Sequence, residues 1–503
     1  MAVASDEPHW DLPEPIWRAE DLGKPIPDSP HACSVAMPLW EHNVGYEEGD
    51  ESVISKFSTG YPRFFMNPLV VQLREKLARD IGVEPGSCLP LPTKASAERC
   101  ADYVSHRTSV NADERRPALV HSTSCGVWLT STSDEDAYLL REYWQHAGEG
   151  ISSRTAEACL GGEPQSISNS AAKQTIRQRV ADLQHVSPED VYLFPSGMAA
   201  IYAAYRLTHR EELRSSQFGF PYVDTHKILD RFGSESVVFH PHGNADDMHR
   251  LVEEAKTSGL GHLFSEAPGN PLLTIPNLPK LHEISREFGF AMVIDDTLGG
   301  MINVDVRPFA DIITTSLTKF FSGGGDIMAG ALVTVPGTSY YERFKTTLSS
   351  EYEDLLADED AEVLAANSVD VVQRVQKINT SAAALVEALR EHPNVERVYY
   401  PDDSADRFNQ IRDEQFDSGF GGLLSVLLKN PSVNAPKVYD ALQISKGPNL
   451  GTNFTLCCPY TILAHYDELD FVEACGVSRY LIRISVGLED TDWIVSTILK
   501  ALA

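Results

Sequence analysis

At 503 residues the chain exceeds what one hydrophobic core organises, so two or three structural units are expected. Its 42% hydrophobic and 23% charged residues are ordinary for a globular protein and exclude collagen-like, disordered and membrane classes. A formal net charge of -30, from 42 Lys+Arg against 72 Asp+Glu, repels a phosphate backbone; nucleic acid is excluded, and an anionic ligand must be captured by a few placed side chains and backbone N–H groups.

From the N-terminus, the stretch MAVASDEPHWDLPEP is acidic and proline-bearing and fits neither a secretory nor a transit peptide. With no apolar run approaching about twenty residues, no membrane partner is expected and the cytoplasm is the expected location. The first sixty residues carry scattered Pro and Gly and few periodic apolar positions, which predicts an arm wrapped over another body, as in an oligomer. From Leu69 the run LVVQLREKLARDIG has apolar residues at helical spacing and stops at a glycine. Cys88 to Ser170 mixes proline, Ser/Thr clusters and short helices and reads as an insertion.

The pattern then becomes regular. The helix AAKQTIRQRVADLQ, the strand VYLF (Val191 to Phe194) and a helix beginning at Ser196 are followed by strands around Val237 and Leu263. The helix LPKLHEISREFG, the strand AMVID ending at Asp295, a strand DIITTSLTK ending at Lys319 and a strand around Leu332 complete a β-α alternation. It predicts an α/β fold with a mostly parallel sheet covered on both faces, whose ligands bind beyond the strand ends. After Ser349 a charged helical stretch leads to SAAALVEALREHPNVERVYYP, FGGLLSVLL and YLIRISVGLE, the parts of a smaller α+β unit. The expected organisation is an arm and first helix (1–90), an insertion (91–165), an α/β domain (166–349) and a C-terminal α+β domain (350–503). The eight cysteines include no C-x-x-C, and the adjacent Cys457 and Cys458 are poorly spaced for zinc, so they read as reduced thiols without a metal.

An enzyme using pyridoxal phosphate needs a lysine for covalent attachment, an acid beside the pyridine nitrogen, donors for the phosphate and an aromatic face over the ring. Lys319, followed by FFSGGGD, places an amine at the sheet edge beside a glycine turn. Asp295 closes a buried strand and suits a cationic partner. Ser196, Gly197 and Met198 offer a hydroxyl and free N–H groups where a helix begins.

These segments resemble the Cys/Met-metabolism family of pyridoxal-phosphate enzymes, and most nearly its fungal cystathionine γ-synthase-like branch, over most of the chain. TTSLTKFFSGGGDIMAG is similar to the family's cofactor-lysine segment, VIDDT to its aspartate strand and SGMAA to its phosphate-cradling turn. The resemblance implies the fold-type I transferase architecture and pyridoxal 5'-phosphate on Lys319. It implies Ser316 and Thr318 as phosphate ligands beside Ser196, Gly197 and Met198, and Asp295 as partner of the ring nitrogen. Asn270 in EAPGNP stands where the ring hydroxyl is bonded, Tyr222 in YVDT where a tyrosine stacks on the ring, and Arg483 where an arginine grips the substrate carboxylate. Tyr61 and Arg63 in GYPRFFMNP match residues that enter a neighbouring subunit's site, which implies a homo-oligomer, a dimer of dimers with shared sites.

The family pattern is altered in places. Phe320 and the glycines Gly323, Gly324 and Gly325 follow the lysine where a tyrosine and a histidine are usual, which predicts a more open floor. Asp296 replaces the usual asparagine, and Thr455 stands where a serine helps place the lysine or the carboxylate. The implied activity is γ-replacement on an O-acyl-L-homoserine by L-cysteine, with Lys319 as base and Tyr222 or Tyr61 assisting proton transfer. Sulfide or a carbon acid as nucleophile, or γ-elimination, are the alternative outcomes. Intact Lys319, Asp295, Asn270 and Arg483 argue against a non-enzymatic scaffold.

Overall fold

Short-range signals set the elements. Ser170 caps Ala171–Gln184 by accepting from the Lys173 N–H at 3.4 Å, Ile176 and Val180 point inward, and His185 leaves the helix in the left-handed region at φ 51°. Asn67 and Gly82 bracket Pro68–Ile81 in the same way, Gly82 at φ 74°. The computed structural model describes residues 10–108, 117–233, 236–417 and 419–503. The opening residues 1–9 and residues 109–116 of the expected insertion lie outside the described residues.

In chain order the strands are β1 (Cys88–Leu91), β2 (Leu119–Ser122), β3 (Trp128–Ser131), β4 (Val191–Phe194), β5 (Arg214–Phe218), β6 (Val238–His240), β7 (Leu260–Glu266) and β8 (Ala291–Asp295). They continue with β9 (Ile312–Ser316), β10 (Gly330–Thr334), β11 (Val395–Tyr399), β12 (Leu423–Leu428), β13 (Ser445–Lys446), β14 (Leu456–Cys458) and β15 (Ile482–Ser485). The large sheet has the order β4-β10-β9-β8-β7-β5-β6. β5 to β9 run parallel, and β10 lies antiparallel between β9 and β4. Alternate residues enter two cores: Met292 and Ile294 pack in one, Ala291 and Val293 in the other. Both faces of the sheet are therefore dry, as a parallel sheet requires.

The small sheet, β11-β12-β15-β14-β13, is antiparallel except between β13 and β14. A third sheet, β1-β3-β2, forms within the stretch read as an insertion. Leu129, Ala156 and Cys159 from that stretch share a core with Val70, Leu73 and Leu77 of the preceding helix.

Three expectations change. The arm, from Trp10 onward, packs on its own chain: the Trp10 indole donates to Asp370 at 2.7 Å, Met37 N–H donates to Lys446 O at 3.0 Å, and the Trp40 ring packs edge-on to Tyr439. The strand expected to end at Lys319 ends at Ser316, because Lys319 N–H turns back to Ser316 O and the chain enters a tight turn. The floor beyond Lys319 is closed rather than open. A Cβ on Gly323 would lie 2.1 Å from Asn453 Oδ1, and one on Gly324 would lie 2.5 Å from Asn367 Nδ2, so only glycine lets these side chains approach.

Ile176 is fully buried in the larger core. Ile176→Ala is expected to lower unfolding free energy by about 2–5 kcal/mol in denaturant titrations, the cost of lost burial plus a cavity; an unchanged midpoint would show that this helix is not integral to the fold.

Candidate active site

The C-terminal ends of β7, β8 and β9 meet the β14–β15 edge of the small sheet around a cavity of about 1140 Å³, its mouth included. Lys319, Tyr61, Arg63, Tyr222, Asn270, Asp295, Ser316, Gly197, Met198 and Arg483 all line it. Residues separated by more than 400 positions thus converge on one volume, beyond the strand ends where α/β sheets bind ligands.

The Lys319 amine is buried and donates to Tyr61 Oη at 2.9 Å and Asn449 Oδ1 at 2.6 Å. Burial pushes its pKa below the ordinary lysine range, against the upward pull of Tyr61. For Tyr61, burial pushes upward, but Lys319 and Arg63 outweigh it and hold the phenol below its usual value. Both groups are held below their ordinary values while hydrogen-bonded to each other, which suits proton exchange between them.

Arg63 donates to Tyr222 Oη at 2.6 Å, to Asp224 and to Gln145 O at 2.8 Å, while its Nε has no partner and is buried. Asp224 is fully buried and also bonds His146 Nδ1 at 2.8 Å; against the push of burial, Arg63 and His146 hold it down at about 2.

Glu266 and Asp295 stand opposite each other in register on β7 and β8. Burial, and then Asp295, push Glu266 up to about 8, and burial pushes Asp295 up to about 6. Glu266 accepts from the N–H groups of Tyr222 and Asn270, and Asp295 from Thr297 N–H at 2.8 Å. Neither acid has an ion-pair partner among the described residues, so a cation entering here would relieve both. Asn270, whose N–H binds Glu266, also accepts from Arg483 at 3.2 Å; Arg483 donates further to Asn449 O at 3.0 Å, with its guanidinium 4.5 Å from the Tyr460 ring centroid.

The cradle for an anion is built from backbone. Ser196 caps Gly197–Thr208, accepting from Ala199 N–H at 3.0 Å, and its hydroxyl donates to Gly148 O. A Cβ on Gly197 would lie 2.7 Å from Ser316 Cβ, so glycine is required for the helix start to approach β9. Ser196 itself faces an adjoining cavity of about 630 Å³, also lined by Arg63.

Besides Ser196, two expected residues are not brought to the cavity. The Thr318 hydroxyl is tied to both backbone groups of Ala329, and Thr455 is held by Glu489 at 2.7 Å and by Gly487 N–H at 3.0 Å. Each satisfies a turn rather than facing a ligand. Tyr61 and Arg63, expected from a second subunit, stand in the cavity of their own chain. Glu266, Asn449 and Tyr460 escaped the sequence reading; the first ends a strand whose partner strand ends in Asp295, a pairing that could have been noticed.

The donor set fits pyridoxal phosphate. A helix start and the free Nε of Arg63 suit the phosphate, the two unpaired acids suit a protonated ring nitrogen, and a lysine of lowered pKa suits covalent attachment. Fold and site together define a pyridoxal-phosphate enzyme of the fold-type I architecture. The chain belongs to the Cys/Met metabolism PLP-dependent enzymes, whose family model matches residues 166–503, and a model for the fungal trans-sulfuration enzyme N-terminal domain matches residues 69–152. It is 33% identical to cystathionine gamma-synthase of Neurospora crassa, over 96% of this chain and 98% of that one. It is 31% identical to cystathionine gamma-synthase-like enzyme iboG2 of Amanita muscaria, over 96% of each. Among solved structures, cystathionine gamma-lyase from Lactobacillus plantarum shares the fold with a TM-score of 0.58 at 22% identity, covering 67% of this chain and 90% of that one.

Both buried acids bind a proton more tightly folded than unfolded, so stability falls as pH rises from the ordinary carboxylate value of 4.5 towards 8, where Glu266 ionises in the fold. In cofactor-free protein, Glu266→Gln is expected to gain in denaturant midpoint relative to wild type as pH rises across this window. A difference independent of pH would show that Glu266 is already ionised when folded.

Proposed function

We propose that the protein catalyses γ-replacement on an O-acyl-L-homoserine, with L-cysteine as nucleophile and L-cystathionine as product. The observation that carries this reading is the Lys319 amine poised between Tyr61 and Asn449, in one cavity with the Arg483 guanidinium that also binds Asn449. The nearly full-length similarity to enzymes named cystathionine gamma-synthase supports the choice of reaction.

Bound pyridoxal phosphate supplies the electron sink that allows the substrate's α- and β-protons to leave. Arg483 binds the substrate α-carboxylate through its two terminal nitrogens, with Asn270 and Asn449 fixing the plane of the fork. Lys319 Nζ takes the α-proton, and burial keeps a share of it unprotonated for that purpose. Tyr61 Oη, hydrogen-bonded to that amine, receives or returns the proton. Arg63 and Ser316, with the start of Gly197–Thr208, would hold the phosphate, Asp295 would pair with the ring nitrogen, and Tyr222 would supply an aromatic face. In balance, the Cγ–O bond breaks, the acyl group leaves as a carboxylic acid carrying the thiol proton, and a Cγ–S bond forms.

A second reading is favoured by one apolar part of the cavity lining, where Val35, Met37, Phe57, Phe65 and Leu463 cluster. Such a lining suits a nucleophile with an apolar body, such as a carbon acid, as well as cysteine. The protein works in the cytoplasm in this proposal, where its eight unpaired cysteines stay reduced. No helix among the described residues is long and apolar enough to cross a membrane.

Mass spectrometry of products from O-acetyl-L-homoserine tests the reading. Cystathionine is expected only when L-cysteine is present; oxoacid released equally with and without it would replace γ-replacement by γ-elimination. Lys319→Ala is expected to slow turnover at least about 10²-fold, the scale of a lost acid–base group. Arg483→Lys should raise KM for the acylhomoserine about tenfold or more with a smaller change in kcat, since the charge stays and the fork is lost.

A further inference from the structure

The body formed by residues 68–160 repeats, element by element, the framework that holds the candidate cofactor site. Asn67 and Ser170 cap helices of 14 residues each, Pro68–Ile81 and Ala171–Gln184. Gly82 and His185 end them, both left-handed. A 3-10 turn then opens on proline in each, Pro85–Ser87 and Pro188–Asp190, followed by a strand of four residues, β1 and β4. Pro92 and Pro195 come next, then the caps Thr93 and Ser196, whose hydroxyls accept from Ser96 and Ala199 N–H, and a helix running to His106-Arg107 in one and towards His209-Arg210 in the other. Every pair is separated by 103 positions, from Asn67 and Ser170 to Arg107 and Arg210, with no gap.

The likeness continues past a deletion. β1-β3-β2 and β4-β10-β9 have the same order and are antiparallel throughout. Two helices follow each, Ala137–Ala147 and Ser153–Leu160 against Tyr341–Glu351 and Asp358–Asn367. Ser153–Leu160 packs on Pro68–Ile81, and Asp358–Asn367 on Ala171–Gln184. Among its described residues the first copy has nothing corresponding to β5 through β8, and so no counterpart of Tyr222, Asn270 or Asp295. A short link from Ser122 to Trp128 replaces the lysine turn between Ser316 and Gly330.

The two copies meet reciprocally. Ser196 Oγ donates to Gly148 O at 2.9 Å, just after Ala137–Ala147 of the first copy. Thr93, the counterpart of Ser196, donates to Glu353 at 3.2 Å, just after Tyr341–Glu351 of the second. Glu149 and Glu353, each at the same distance from the start of its helix, both take Arg99, at 2.7 and 3.3 Å. The same element of each copy, its second helix cap, thus contacts the same element of the other, the segment just after its third helix, which is the pattern of an isologous interface between two subunits. Gln165, 103 positions after Pro62, donates to Pro92 O and Gly126 O, in the first copy's counterpart of the place where Pro62 and Pro195 line a cavity.

We propose that residues 61–160 are a degenerate copy of the cofactor-binding framework that takes the place of a partner subunit. It delivers Tyr61 and Arg63 to the Lys319 site of its own chain. The segment before the first helix of one copy enters the site of the other, and Gln145 O with His146 of the first copy secures Arg63 and Asp224 there. This rests on the reading of the cavity as a pyridoxal-phosphate site, and it makes one chain, with one cofactor, the complete catalytic unit.

Co-expression of a Lys319→Ala chain with an Arg63→Ala chain under different tags tests it, Arg63→Met replacing the alanine if solubility fails. The doubly tagged species is titrated with pyridoxal phosphate, followed by absorbance, and then assayed. The expected result is no tight cofactor binding beyond that of the two parents and no gain in activity. Recovery of half the wild-type sites would overturn the proposal, since a site shared between chains regains Lys319 and Arg63 together. If no doubly tagged species forms, a wild-type chain that is monomeric by light scattering and binds one cofactor leads to the same conclusion as the expected result. If wild type binds no cofactor, the reading of the cavity fails instead.

Discussion

A buried ion pair, Arg63 with Asp224, is the constraint on which the site depends. Taking a guanidinium and a carboxylate out of water costs several kcal/mol each unless both are fully paired, and here every stabilising partner comes from a different part of the chain. Arg63 arrives on the N-terminal segment, Gln145 and His146 on the end of one helix, Asp224 and Tyr222 at the start of another. Displacing any one of these leaves a charge uncompensated in the interior. The pair therefore fixes how the N-terminal body sits on the large sheet, and with it where Tyr61 meets Lys319.

Within that frame the cavity is lined by both signs of charge. Glu266 and Asp295, two acids that burial drives towards their neutral forms, share it with Lys319, Arg63 and Arg483. A ligand carrying a cationic ring and anionic groups matches this lining, whereas a purely anionic one would leave the acids without a partner. The strongly acidic surface of the chain stands outside the cavity and does not alter the match, because fields from exposed charges are screened within about 10 Å while those inside are not.

The parts of the site that were legible in the sequence are those carried by continuous segments. Strand ends followed by Gly or Asp mark Asp295 and the turn at Lys319, and a Ser-Gly pair between strand and helix marks the cradle. Asn449 and Tyr460 left no such mark, since they lie outside the periodic strands and their role exists only through a contact with Lys319 or Arg483. Thr318 and Thr455 were over-read: a hydroxyl near a site is as easily consumed by its own backbone. The repeat across residues 67–107 and 170–210 stayed hidden because what the two segments share is caps, turns and lengths. Side chains differ at most positions, as packing tolerates where only volume and pattern are held.

The two unpaired acids have a consequence beyond chemistry. A pocket that withdraws two carboxyls from water and raises their pKa without an ion-pair partner is destabilised until its ligand arrives, so pyridoxal phosphate acts on this chain as a folding ligand as well as a reagent. Ligand present at a hundred times its dissociation constant adds about 2.7 kcal/mol to the folded state by mass action. The abundance of the intact protein in a cell is thereby tied to vitamin supply, and a chain short of cofactor becomes more exposed to proteolysis rather than merely idle.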